Sequence, residues 1–228
     1  MNIIYPVIHV LDDEQALRNA ARVAEAGCPG VLLIQMEGQN GPLLHAARLV
    51  REQFPALRVG VNLLGCDPDV ALALSLDNGF DMTWTDEQLT HSSRAGFIEA
   101  RNVFHTLAEA EGHEFFVGVA FKHQAYEPDP VGAARRATAL GMIATTSGPA
   151  TGHAADPSAI AALRAGIGDG DCLAIASGIT PSNAALFAPH LTHMLVATGI
   201  SASFHEFDPV LLRDLMAAVA PDDQSRLQ

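Results

Sequence analysis

The chain is poor in positive charge: 13 Lys and Arg stand against 26 Asp and Glu, for a formal net charge of −13. Duplex nucleic acid is bound through many cationic contacts to phosphates, so this balance excludes a nucleic-acid partner, and equally an anionic membrane surface. A small anion stays within reach, because backbone N–H groups can supply a local positive field. Long apolar runs are also lacking. The longest are strand-length, well short of the ~20 residues of a transmembrane helix, so no membrane insertion is expected. The segment Met1-Asn2-Ile3-Ile4-Tyr5 has neither the basic start nor the cleavage site of a secretion leader. Cysteine is sparse and odd in number, at Cys28, Cys66 and Cys172. That pattern suits reduced thiols and a cytoplasmic location, without metal-ligand spacing.

What the chain does have is apolar material, at 49% of 228 residues, and only 17% charged residues, which excludes intrinsic disorder. Eight strand candidates recur from end to end: Ile3–His9, Val31–Met36, Arg58–Leu64, Phe80–Thr85, Phe115–Lys122, Met142–Ser147, Cys172–Ser177 and His193–Thr198. Most are continuous apolar runs, as expected for parallel strands covered on both faces. Amphipathic segments lie between them; in the first, Ala16, Leu17, Ala20, Val23 and Ala24 recur at helical spacing. Asp67-Pro68, Asp129-Pro130, Asp156-Pro157, Thr180-Pro181 and Asp208-Pro209 each place a capping oxygen before a proline, which predicts helix starts. An open doubly wound sheet would carry a Gly-rich fingerprint after its first strand, where this chain reads His9-Val10-Leu11-Asp12-Asp13. The expectation is therefore an α/β fold: a single (β/α)8 barrel over residues 1–220, with parallel strands inside and helices outside. A polar tail follows at residues 221–228.

Barrel enzymes react at the C-terminal strand ends, which selects a short set of polar residues. Lys122 leads it, as the one lysine in the chain and beside His123 at a predicted strand end. An ammonium can lose its proton in a desolvated site and attack a carbonyl, or stay charged and hold an anion; arginine cannot do the first. His9 and His123 are candidate proton-transfer partners, and Asn62 a candidate orienting group. After strands seven and eight, Ser177, Gly178, Thr180, Thr198, Gly199 and Ser201 form two loops suited to phosphate, with amides and hydroxyls as donors. The small-residue loop carrying Ser147, Gly148, Thr151 and Gly152, together with Glu37 and Trp84, is expected to contact substrate. His9, Glu37, Asp86 and His123 are the residues from which a metal site could be assembled, but no HxH or HExxH spacing supports one. No metal or other cofactor is expected. Apolar helix faces are compatible with a homo-oligomer.

Several of these segments resemble the BtpA family, barrel proteins named for a role in photosystem I biogenesis. They are Gly60-Val61-Asn62-Leu63-Leu64 with Asp67, Lys122-His123-Gln124-Ala125, Ser147-Gly148-Pro149-Ala150-Thr151-Gly152, and Ser177-Gly178-Ile179-Thr180-Pro181-Ser182-Asn183. The chain departs from the family pattern in three places. The loop after strand one is shortened to Val10-Leu11-Asp12, Gln35-Met36 stands where the family has an acidic Glu-Asn pair, and an acidic residue of strand five is missing near Gly118. The resemblance implies a barrel with a nucleoside- or sugar-phosphate-like ligand. The expectation from residues and resemblance together is an enzyme acting on a phosphorylated sugar or ribosyl compound, by aldol-type cleavage, isomerisation or ribosyl transfer. A non-catalytic ligand-binding or assembly protein and a metal-dependent hydrolase are the alternatives.

Overall fold

The computed structural model describes residues 2–93 and 98–220; the 221–228 tail expected from composition lies outside them. Eight parallel strands close into a barrel: β1 (Ile3–His9), β2 (Gly30–Ile34), β3 (Arg58–Asn62), β4 (Met82–Thr85), β5 (Glu114–Gly118), β6 (Ile143–Thr146), β7 (Leu173–Ile175) and β8 (His193–Val196). Closure is made by β1, which pairs with β2 on one side (His9 opposite Ile34) and β8 on the other (Tyr5 opposite Leu195). The outer helices are α1 (Asp13–Glu25), α2 (Asn40–Gln53), α3 (Pro68–Asp77), α4 (Ile98–Glu109), α5 (Pro130–Ala139), α6 (Pro157–Gly166), α7 (Ala184–Phe187) and α8 (Pro209–Ala218). A small hairpin, β9 (Ser201–Ser203) and β10 (Glu206–Phe207), is inserted between β8 and α8.

The strand pattern explains the apolar runs. Along β1, Ile4 and Ile8 face the helices while Tyr5 and Val7 face the barrel interior. In β2, Val31 and Leu33 point outward and Leu32 and Ile34 inward. Both faces are dry, so nothing forces an apolar–polar alternation. The interior is filled by Leu32, Met82, Trp84, Phe116, Ile143 and Leu195, so the barrel is a packed core. Its N-terminal end is plugged by polar groups. The Tyr5 hydroxyl donates to Glu114 (2.9 Å), Arg58 pairs with Glu114 (2.8 Å), and His193 lies 3.5 Å from the same carboxylate. His193 is thus inside the barrel and almost fully buried, stacked on Tyr5.

Most predicted helix starts carry their caps. Asp129, Asp156 and Asp208 accept from first-turn amides ahead of prolines, and Asp12 does so for α1. Asp67 is the N-cap residue of α3 without a side-chain cap bond. Thr180-Pro181 is corrected. The α7 helix begins at Ala184, because the Asn183 side chain accepts from the Thr180 N–H and donates to the Gly178 carbonyl, turning the chain before it can coil.

Strand ends at the mouth are corrected too. The strands expected to reach Lys122, Ser177 and Thr198 stop at Gly118, Ile175 and Val196. After Gly118 the chain enters the left-handed region at Ala120 (φ 47°), which ends the ladder and folds Phe121 back into the barrel mouth.

Candidate active site

The C-terminal strand ends surround a cavity of about 190 Å³. On one side stand Lys122 and Asp86, on another Ser177, Gly178, Thr198 and Gly199, and the walls between are apolar. A second cavity of about 400 Å³, more polar, adjoins it over β3 and β4, and Asp86 lines both.

Asp86 reaches the mouth because the β4 loop folds across the end of β5. The Glu87 carbonyl accepts from the Gly118 N–H (3.1 Å), and a Cβ on Gly118 would lie 2.2 Å from the Asp86 carbonyl oxygen. Only glycine fits there. Asn62, buried at the end of β3, donates to the Asp86 carboxylate (3.2 Å). Burial raises the Asp86 pKa above the ordinary carboxylate range, against the opposing pull of the Asn62 hydrogen bond and the Lys122 charge.

Lys122 lies four residues beyond β5. Its backbone N–H donates to Ser147 Oγ (2.8 Å), which fixes the loop, and its Nζ donates to the Ala176 carbonyl (3.0 Å). The ammonium sits 5.1 Å from the Phe121 ring centroid. Burial lowers its pKa, and Asp86 is the charge that opposes the fall. Desolvation therefore pushes the two groups towards each other's protonation state: a more readily neutral amine beside a carboxyl that holds its proton longer.

His9, at the end of β1, stacks on Phe204 with ring centroids 4.3 Å apart and planes 9° from parallel. Its Nδ1 lies 3.2 Å from the Phe204 carbonyl. A carbonyl can only accept, so Nδ1 carries the hydrogen and Nε2 keeps its lone pair. Burial lowers the His9 pKa, against the opposing Phe204 hydrogen bond and with the His205 and Lys122 charges adding to the fall, which favours the neutral ring.

The loops after β6, β7 and β8 lock into one another. Ser147 donates to the Gly148 carbonyl, and the Gly148 N–H donates to Ser177 Oγ (2.8 Å). Cβ atoms at Gly148, Gly178 and Gly199 would lie 1.9, 2.3 and 1.9 Å from backbone oxygens of His153, His153 and Ile179. These glycines are required for loop packing whether or not a ligand is present. Among the described residues, the amides of Gly178 and Gly199 find no acceptor, and both residues line the cavity.

Of the residues singled out from sequence, His9, Trp84, Lys122, Thr151, Gly152, Ser177, Gly178, Thr198 and Gly199 line this cavity. Asn62 lines the adjoining one. His123, with φ 63°, is exposed beyond the rim. Glu37 is exposed and tied to Gln35 and Gln39 in the turn after β2, where Met36 lines the cavity instead. Ser147 and Gly148 pin loops behind the cavity. Thr180 bonds within its own turn to Ser182, and Ser201 bonds back to the Ala197 carbonyl. Among the described residues, His9, Glu37, Asp86 and His123 do not gather into a group able to hold a metal ion.

Two contributors were missed. Asp86 was named from sequence as a possible metal ligand and given no part in catalysis, since its place at the mouth depends on Gly118. Phe204 sits on a hairpin tied to α1: Asn19 donates to the His205 carbonyl (2.7 Å) and accepts from the Phe207 N–H (3.0 Å), Gln15 also donates to the His205 carbonyl, and Arg22 pairs with Glu206. The Phe-His-Glu-Phe run between the last strand and Asp208-Pro209 was the available signal.

No family model and no curated protein matches the sequence. Solved structures do. Phosphoribosyl anthranilate isomerase from Thermus thermophilus is 15% identical, with full coverage of both chains and a TM-score of 0.67. A monomer generated from the dimeric phosphoribosylanthranilate isomerase of Thermotoga maritima is 13% identical over 96% of this chain and 98% of that one, at 0.68. Orotidine 5'-phosphate decarboxylase from Pyrococcus horikoshii OT3 is 14% identical over 94% and 99%, at 0.68. At these identities the likeness establishes the fold, a TIM barrel. No described helix is long and apolar enough to cross a membrane.

Proposed function

We propose that this barrel is an enzyme acting on the carbonyl group of a phosphorylated sugar or ribosyl compound, as an isomerase or aldol-type lyase. The observation that carries the reading is that a desolvated Lys122 and Asp86 line one cavity at the C-terminal mouth, each within the other's electrostatic influence. The phosphate would rest on the free amides of Gly178 and Gly199, with hydroxyl donation from Ser177 and Thr198. The names of the similar solved structures also denote phosphoribosyl or nucleotide substrates.

In the reaction, the neutral Lys122 amine adds to the substrate carbonyl carbon, giving a carbinolamine. That intermediate loses its hydroxyl as water, taking the proton of the Asp86 carboxyl and leaving an iminium and a carboxylate. The iminium draws electrons from the neighbouring carbon. The Asp86 carboxylate or the free Nε2 of His9 then accepts the proton released there. Asn62 holds the Asp86 carboxylate in place.

Borohydride reduction in the presence of a panel of phosphorylated aldoses, ketoses and ribosyl compounds tests this. A reduced adduct on Lys122 is the expected product, and its absence across the panel, with phosphate ligands still raising Tm, would favour a binding protein of the BtpA type. The missing acidic residues at Gln35 and near Gly118 are what keep that second reading in view.

A further inference from the structure

The cavity is lopsided. Lys122 and Asp86 mark one pole and the loops after β7 and β8 another, while the remaining wall is built from Ile34, Met36, Trp84, Leu195 and Phe204. Two of these are large apolar side chains left uncovered: Met36 is 53% exposed and Phe204 is 56% exposed. They stand on the loops after β2 and β8, the two strands that flank β1, and the loop after β1 carries a third, Leu11, at 64%. One exposed apolar side chain on a protein surface means little. Two that line the same cavity, on loops of the strands either side of β1, mark a surface kept apolar for an occupant.

Phe204 is also held in place. Its hairpin is tied to α1 by Gln15, Asn19 and Arg22, and one face of its ring lies parallel on His9. The mouth thus presents a fixed, flat, apolar wall. Sugar hydroxyls placed against such a wall would lose water and find no acceptor, which costs free energy for each group left unpaired. A planar apolar group gains on the same surface.

We propose that the part of the mouth walled by Trp84, Met36 and Phe204 is a subsite for an aromatic ring carried by the phosphorylated substrate, with the Phe204–His9 stack as its outer wall. The proposal rests on the assignment of the phosphate end to the loops after β7 and β8, and it narrows the substrate class to phosphorylated compounds bearing an aryl substituent.

Trp84 lines the cavity and is the single tryptophan in the chain, so its fluorescence reports occupancy directly. Titrations with 1-naphthyl phosphate, glycerol 3-phosphate and 1-naphthol separate the parts. The naphthyl phosphate is expected to bind at least about tenfold more tightly than glycerol 3-phosphate. Phe204→Ala should cut that ratio to about twofold, and Phe204→Tyr, which keeps a ring, should restore most of it. Equal affinity for the two phosphates in the unaltered protein, or a ratio unchanged in Phe204→Ala, overturns the ring subsite. If 1-naphthol binds as tightly as its phosphate, the ring subsite stands and the phosphate assignment falls instead.

Discussion

Lys122 is pulled two ways: burial favours the neutral amine, while the nearby Asp86 carboxylate favours the ammonium. Lys122→Met removes the nucleophile and should reduce turnover to background with little change in Tm, since its anchoring bond to Ser147 is made by the backbone N–H. Asp86→Asn is more informative. Asp86 raises the Lys122 pKa, so its loss lets burial lower that pKa further. The limb of the pH–rate profile that reports the neutral amine should then move to lower pH, while the maximal rate falls about 10²–10⁴-fold with the proton carrier gone. A limb that stays put would mean the two groups do not share a site.

At the scale of elements, the mouth is assembled from loops that hold one another. The β4 loop brings in Asp86 only because β5 ends on Gly118. Gly118→Ala pushes a methyl group into backbone, which cannot swing aside as a flexible side chain would. A loss of about 1–3 kcal/mol in stability is expected, together with displaced Asp86 chemistry; denaturant midpoints and the pH profile check the two parts. The β9–β10 hairpin depends on a distant helix in the same way. Asn19 is buried and serves three partners there: His205, Phe207 and Arg22. Asn19→Ala should speed amide hydrogen exchange across residues 201–207 while leaving the strands of the barrel protected.

Over the whole molecule, the two ends of the barrel divide the labour. The C-terminal end keeps its charged groups around open space, whereas the N-terminal end spends them on closure. Burial alone would raise the Glu114 pKa, but the nearby His193 ring, the Arg58 charge and the Tyr5 hydrogen bond outweigh it and hold it below its ordinary 4.5. A carboxylate depressed in the folded state stabilises the fold fully above its unfolded value, and that contribution is lost as pH falls through the folded one. Glu114→Gln should therefore lower stability by about 2 kcal/mol at neutral pH. The difference from the parent protein should begin to shrink once the pH drops below 4.5. Thermal melts of both proteins across that range measure it.

The eight-strand order was legible in the sequence because parallel strands covered on both sides must be apolar along their whole length, and that is a local demand. Caps before proline are local as well, and four of the marked starts hold. Where the strands stop was not legible: Phe121 and Ala176 are apolar because they fold into the mouth, and composition cannot distinguish that from a strand. Gly118 reads in sequence as a missing acid. In three dimensions it is the gap through which Asp86 enters from the neighbouring strand. The Phe204 wall was hidden for a related reason, since its short hairpin is stabilised by α1 side chains 186 and 188 residues away. Local pattern fixes which segments become strands and helices. Which side chains face one another across the mouth depends on steric and hydrogen-bond contacts between loops, and those exist only once the barrel has closed.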